Sequence, residues 1–342
     1  MQNNNLPDFV SYLLQPAAYA PQPTAVKLVQ THISYVFLTD DFVYKFKKPV
    51  DFGFLDFTTL DKRRYFCQQE LVLNRRLCPT IYLDLVALIR MDDTLHLSSP
   101  GRADMEHVVE YGIKMKRMPE EQMMANVIKS GHLVPAMIDD ICDVLVPFYN
   151  RADSGPEIQK FGRPEAVSVN ISENFAQTEA FIGSPSLSKS QFERIKNFST
   201  AFLRKDDLFA ARISAGRIRD CHGDLYSANI CLADQVYIFD CIEFNERFRY
   251  CDVASDIAFL AMDLDYHGLS ELSDRFVARF IELSGDAGVG TMLNFYKCYR
   301  AYVRGKINLF TAHAEEVDGE TKRHCQEMAG KYFRLAERYA SQ

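Results

Sequence analysis

No C-x-x-C pair occurs among the nine cysteines of this 342-residue chain, and Cys221, Cys231, Cys241 and Cys251 fall ten apart. Zinc sites need short loops that bring two thiolates to one ion, so this spacing argues against a metal held by cysteine. The odd count fits reduced thiols, most of them small core residues. Long apolar runs are also missing: no stretch approaches a membrane-spanning length of about 18 apolar residues, and the opening MQNNNLPDFV has no basic run leading into an apolar one. Neither export nor membrane insertion is expected, and a cytoplasmic setting is. Positive charge is not in excess, with 39 lysines and arginines against 46 acidic residues and a formal charge of −7, so no global field favours nucleic acid or an anionic membrane. Repeats and low-complexity tracts are absent. What remains, 47% apolar letters, is ample for a sizeable core and excludes disorder, collagen and a small disulfide scaffold. The length suggests two domains or lobes.

The first third reads as sheet. Val26 to Gln30, Tyr35 to Leu38 and Phe42 to Phe46 are short β-branched and aromatic runs divided by turns, and they predict two successive hairpins. Thr58-Thr59-Leu60-Asp61 fits a capping box that opens a helix running to about Leu77, before Pro79. Strand character returns at Ile81 to Arg90, Thr94 to Ser98 and Val108 to Met115. From Glu120 the helical period dominates: Gln122 to Lys129, Val134 to Tyr149, Ser172 to Ile182, Ser190 to Leu208, Ser270 to Leu283, Met292 to His313 and Thr321 to Tyr339. Short strand-like pieces interrupt at Ile218 to Cys221, Ile230 to Leu232 and Val236 to Phe239.

The densest chemistry lies in that insert. Cys221-His222-Gly223-Asp224-Leu225-Tyr226-Ser227-Ala228-Asn229 is followed by Val236-Tyr237-Ile238-Phe239-Asp240, so an Asp, an Asn and a second Asp come within one short stretch. Phosphoryl transfer needs such a set: one carboxylate to orient a hydroxyl and take its proton, and hard oxygens to hold Mg²⁺ between phosphates. Asp224 is the candidate base, and Asn229 and Asp240 are the candidate metal ligands. Upstream, alternation puts Lys45 on the face with Val43 and opposite Phe42, Tyr44 and Phe46, with Lys47 on the same face. On the capped helix Glu70 falls on the apolar stripe of Phe66, Leu73 and Leu77. A buried carboxylate there demands a cation.

His222-Gly223-Asp224-Leu225 with Asn229 resembles the H-x-D-x-x-x-x-N loop of the protein-kinase-like fold, in the H-G-D variant of aminoglycoside and choline phosphotransferases. Asp240-Cys241-Ile242-Glu243 and Asp252-Val253-Ala254-Ser255-Asp256-Ile257-Ala258 are similar to the metal-binding and D-x-x-x-D-[LI]-A segments that follow in that family. The segments Thr31 to Phe57 and Tyr299 to Lys306 look closest to a poorly characterised bacterial branch that often carries a P-loop kinase domain at its carboxyl end, a domain not expected within these 342 residues. Gly285-Asp286-Ala287-Gly288-Val289-Gly290-Thr291 imitates a phosphate loop but lacks its lysine, and reads as a helix-to-helix loop.

The resemblance implies an α+β, two-lobed protein-kinase-like fold: a small β-rich lobe over residues 1–117 with one key helix, and a larger, mainly helical lobe over 118–342. It implies that Lys45, paired with Glu70, holds the α and β phosphates of ATP, with Lys47 as the fallback. It also implies backbone groups near Lys116 and Met118 reading adenine. No G-x-G-x-x-G exists between the first two strands, so Ser34 is the candidate in a glycine-poor phosphate loop. His222 and Asp256 are expected to brace the catalytic loop.

Glu243 is expected at metal or acceptor, and Asp263, Asp265 and His267 where a cationic acceptor enters. Arg300 is expected in a structural ion pair, with Arg304 open to an anionic acceptor. The expected activity is transfer of the γ-phosphoryl group of ATP, with Mg²⁺, to a hydroxyl of a small molecule. A nucleotide-binding pseudokinase or regulatory module is the first alternative. A protein kinase is the second, disfavoured because Asp240 and Asp252 leave no room for a peptide-docking segment.

Overall fold

The β-branched and aromatic runs of the first third form strands because each presents one apolar face to a core. The computed structural model of the chain describes residues 6–99, 107–315 and 317–342. The first five residues lie outside the described residues. Strands β1 (Lys27–Gln30), β2 (Ser34–Leu38), β3 (Phe42–Lys47), β4 (Tyr82–Met91), β5 (Thr94–Ser98) and β6 (Val108–Lys116) make a six-stranded antiparallel sheet in the order β1-β2-β3-β6-β4-β5. The first turn closes where Thr31 Oγ1 accepts from the amide of Ser34 at 2.9 Å.

Alternation sets the two faces of β3. Phe42, Tyr44 and Phe46 pack with Tyr35 and Phe37 against Val10 and Leu13. The last two belong to helix α1 (Asp8–Leu13), too short to leave a period in the sequence. On the other face Val43 packs with Ile113, Met115, Cys67 and Leu71. Cys67 and Leu71 come from helix α2 (Leu60–Asn74), so Lys45 and Lys47 emerge beneath that helix. Gly112 stands opposite Phe46 across β6, where a Cβ would lie 2.7 Å from the Phe46 ring and 2.9 Å from the Lys45 carbonyl oxygen. Close approach of β6 to β3 therefore depends on glycine.

Helix α2 starts one residue later than the capping-box pattern predicts. Thr59, not Thr58, is the N-cap, accepting from the Lys62 amide at 3.3 Å. Thr58 is held by Asp56, to which its hydroxyl donates at 2.6 Å and its amide at 3.0 Å. Thr59→Ala should therefore cost about 1 kcal/mol of stability, and Thr58→Ala should leave the helix start intact; denaturant midpoints of the two variants compare them directly.

The helical region contains α3 (Met124–Lys129), α4 (Pro135–Arg151), α5 (Pro156–Gln159), α6 (Pro164–Thr178), α7 (Lys189–Phe202), α8 (Asp206–Ser214), α9 (Glu246–Arg249), α10 (Val253–Tyr266), α11 (Ser270–Ser284), α12 (Gly288–His313) and α13 (Gly319–Ala340). Two expectations are corrected here. The helix expected from Ser172 begins at Pro164, a proline at the first helical position. The single helix expected over Ser190 to Leu208 is two, because the backbone leaves helical geometry at Lys205 (φ −87°, ψ 61°) and restarts at Asp206-Asp207, two carboxylates that suit a helix N-terminus. Short strands β7 (Ile218–Asp220) and β10 (Tyr250–Asp252) pair antiparallel, and β8 (Ile230–Leu232) with β9 (Val236–Ile238) forms a hairpin. Gly285 caps α11 at φ +65° and α12 starts at Gly288, so the phosphate-loop mimic is a helix-to-helix loop.

The α+β class is as expected, with sheet in the amino-terminal part and helices in the carboxyl-terminal part. Two compact units result. One comprises Met1–Met123 and Cys231–Glu246, the other Met124–Ile230 and Arg247–Gln342. The segment 231–246, which carries Asp240, thus packs with the sheet unit rather than with the helices on either side of it in sequence. Among the described residues, no helix is long and apolar enough to cross a membrane.

Candidate active site

In the sheet unit the chemistry gathers under α2. Lys45 Nζ donates to Glu70 Oε1 at 2.8 Å and to Asp240 Oδ1 at 2.6 Å. Lys47 Nζ donates to the other Glu70 oxygen at 2.7 Å and also to Glu243. Glu70, 1% exposed, is therefore shared by both lysines, one on each oxygen. The two lysines differ in their second partner: Lys45 reaches Asp240, whose side chain is half-exposed, while Lys47 is sealed against Glu243. The hairpin end is fixed to α2 through Asn74. Its Nδ2 donates to the Glu70 carbonyl at 2.8 Å, and its Oδ1 accepts from the Cys241 amide at 2.9 Å. Asp240 has φ +61°, a left-handed turn that aspartate tolerates better than most residues, and its amide donates to the Tyr82 hydroxyl at 3.2 Å.

Lys45 and Lys47 face three carboxylates, Glu70, Asp240 and Glu243. Burial opposes the charge on both lysines, but the carboxylates outweigh it: Asp240 and Glu70 raise Lys45, and Glu243 and Glu70 raise Lys47. Burial pushes Glu70 upward, yet Lys45 and Lys47 together pull its carboxyl below the ordinary value. Among the described residues Glu243 pairs with Lys47, and burial wins, raising it.

In the helical unit the loop after β7 carries the motif. Asp256, fully buried, accepts from the amide of His222 at 2.7 Å and of Gly223 at 3.0 Å, and from the Tyr149 hydroxyl at 3.1 Å. Arg300 donates to the Gly223 carbonyl at 2.8 Å and lies 3.5 Å from Asp256. Gly223 turns at φ +87°, a conformation that favours glycine. The buried His222 accepts from the Asp224 amide at its Nδ1, 3.2 Å away. Asn229 Nδ2 donates to both the carbonyl and the Oδ2 of Asp224, each at 2.9 Å. That leaves Asn229 Oδ1 as the amide's remaining acceptor.

Other candidates sit elsewhere. Ser34 is buried at the start of β2, opposite Lys47 in register, with its Oγ lacking a hydrogen-bond partner among the described residues. Lys116 is exposed at the end of β6, and Met118 packs half-buried against the core beneath α2. Three expected acceptor contacts face inward. Glu243 is buried on Lys47; Asp263 is buried and accepts from the Ser227 amide at 3.0 Å; Asp265 accepts from Lys297 at 3.0 Å and from the Tyr339 hydroxyl at 2.5 Å. His267 lies 3.9 Å from Asp263. Sequence reasoning missed Asn74, Tyr82, Tyr149 and Ser255, which act through hydrogen bonds with no periodic signature.

Among the described residues no group of three or more His, Cys, Asp or Glu side chains forms a metal site. Mg²⁺ characteristically takes only one or two protein carboxylates and completes its shell with phosphates and water, so Asp240 and Asn229 are the right kind of hard oxygen donors for it.

No family model matches the chain. It is 34% identical over 299 residues to uncharacterised proteins of Mycobacterium tuberculosis and Mycobacterium bovis, over 86% of this chain and 57% of theirs. The chain thus spans little more than half the length of the curated relatives it matches. Similar solved structures include a choline/ethanolamine kinase family protein from Mesorhizobium loti, with TM-score 0.48, 9% identity, and 96% of this chain and 99% of that one covered. A spectinomycin phosphotransferase in complex with ADP and spectinomycin is similar at TM-score 0.48 and 12% identity, over 99% of this chain and 98% of that one.

Proposed function

We propose that the chain is a phosphotransferase of the aminoglycoside and choline kinase type, moving the γ-phosphoryl group of ATP to a hydroxyl of a small molecule. The observation that carries the reading is the Asp224–Asn229 pair, held on a loop whose consecutive amides are gathered by one buried carboxylate, Asp256. Such bracing fixes a carboxylate where a hydroxyl must be oriented, and in phosphoryl transfer positioning and charge stabilisation do most of the work.

Each residue then has a task. Asp224 accepts the proton of the acceptor hydroxyl as its oxygen bonds to the γ-phosphorus and the bond to the β-phosphate oxygen breaks, releasing ADP. Lys45, kept charged and oriented by Glu70, donates to the nucleotide phosphates. Lys47 holds Glu70 from its other side. Asn229 and Asp240 would each offer a hard oxygen to Mg²⁺, which when bound would neutralise phosphate charge. His222, Asp256, Tyr149 and Arg300 keep the loop rigid, and the Ser34 turn is the candidate cover for the phosphates.

The test is a hydroxyl-bearing metabolite panel with Mg-ATP, scored by ADP release, with Asp224→Asn as the control. Acceptor-dependent ADP release that vanishes in the variant supports the reading. Label from γ-labelled ATP appearing on protein rather than on small molecules would assign it to a protein kinase, and no ADP release with any compound would overturn it.

A further inference from the structure

A chain of ring and guanidinium contacts runs through the helical unit beside the catalytic loop. Arg300 lies over Phe259, with Cζ 4.7 Å from the ring centroid; Phe259 stacks on Tyr226 at 5.4 Å with planes 12° apart; and Arg304 lies over Tyr226 at 4.5 Å. Tyr226 is two residues beyond Asp224 on the same loop. Stacking of this kind orients a guanidinium plane and leaves its edge donors to choose partners.

The two arginines end differently. Arg300 is satisfied by the Gly223 carbonyl, Ser255 and Asp256. Arg304 forms no ion pair among the described residues, and its buried Nε has no hydrogen-bond partner there. Its other aromatic neighbour is Tyr332, 5.8 Å away. The nearby carboxylates are committed: Asp263 to the Ser227 amide, Asp265 to Lys297 and Tyr339. Burial opposes the charge of Arg304, countered by Tyr226, by Tyr332, with which it shares a side-chain hydrogen bond, and by Asp224, which forms no ion pair with it. A half-buried guanidinium held in plane, without a carboxylate, is a receptor for an anion that arrives with the substrate.

The geometry points to Arg304 as the ligand of an anionic group on the acceptor, which is therefore a hydroxyl compound bearing a carboxylate or a phosphate rather than a cationic amino sugar or amino alcohol. This rests on the phosphotransferase reading above. The inward commitment of Asp263 and Asp265 agrees with it, since the acidic residues expected to receive a cation are engaged within the protein.

The test uses matched acceptors with Mg-ATP: D-gluconate, D-glucose, D-glucosamine and D-glucose 6-phosphate, and the corresponding glycerate, glycerol, serinol and glycerol 3-phosphate. Turnover is expected for acidic members, and the carboxylate and phosphate arms separate the two sources of the anion. Arg304→Gln should raise the KM of the acidic acceptor about 30-fold or more while leaving the KM of ATP unchanged, as expected for a lost charged hydrogen bond, and Arg304→Lys should restore part of it. Preference for neutral or amino members, or an unchanged acceptor KM in Arg304→Gln, would overturn the inference and leave the phosphotransferase reading standing. No ADP from any member, with turnover of some other compound in the wider panel, overturns this inference alone; no ADP across that whole panel overturns the phosphotransferase reading and this inference with it.

Discussion

Asp224→Asn is expected to lower turnover by about three orders of magnitude while Mg-ATP still binds, the size of effect that general-base and positioning groups supply. The substitution keeps the side chain's shape and its neighbours. The amide of residue 224 still meets His222 Nδ1, and the new carbonyl oxygen can accept from Asn229 Nδ2 as the carboxylate does, at 2.9 Å in the wild type. What disappears is the negative charge and the ability to take a proton. Lys45, Glu70 and Asp240 lie in the other unit and are untouched, so calorimetric titration with Mg-ATP should give an affinity close to wild type. Full activity in the variant would sink the assignment of Asp224, and lost nucleotide binding would show that the loop does something other than orient the acceptor.

How much of this was legible beforehand follows from which residues lie on regular elements. Lys45 and Glu70 could be brought together because a strand alternates strictly and a helix has a stripe, and the structure pairs them at 2.8 Å. The same alternation could not choose between Lys45 and Lys47, which share a face, and the structure gives Glu70 both. Loop chemistry was legible as a motif, but its bracing was only half so. Asp256 and His222 were readable from the resemblance, whereas the Tyr149 hydroxyl and the Ser255 contact of Arg300 come from residues distant in sequence. Carboxylates were the hardest to place. Asp263 and Asp265 sit at a helix end where either an outward or an inward rotamer fits the pattern, and only the Ser227 amide and the Lys297 amine reveal that both point in. Boundaries failed where two signals competed, as at Thr58, which Asp56 captures, and at Lys205, where a break comes without glycine or proline.

Lys47→Met should destabilise the protein by about 3–5 kcal/mol, the usual cost of breaking a buried ion pair on one side. Lys47 is 1% exposed and is the ion-pair partner of Glu243, whose side chain is 5% exposed. Removing the lysine leaves Glu70 with Lys45 but leaves Glu243 a buried carboxylate without its paired lysine, Lys45 acting on it only from farther off. The pH dependence separates this from a simple packing defect. In the wild type Lys47 is raised, so its contribution is full below the ordinary lysine value of about 10.4 and is lost as pH rises through its folded value; Glu70 is lowered, so its contribution is present above about 4.3 and is lost as pH falls through its folded value. Glu243 is already raised with Lys47 present, so without it the carboxyl rises further. A raised carboxyl favours the folded state at low pH and loses that contribution as pH climbs above about 4.3, so the deficit of the variant relative to wild type should grow from acid toward neutral pH. Adding Glu243→Gln to Lys47→Met removes the stranded charge and should recover much of the loss, a coupling that denaturant midpoints of the two single variants and the double variant measure directly. Recovery in the double variant, with Mg-ATP affinity kept in both, assigns Lys47 to holding Glu70 and Lys45 to the phosphates. A loss of stability independent of pH and unrelieved by Glu243→Gln would instead make the defect one of volume beside Phe57, over which Lys47 Nζ lies at 4.9 Å.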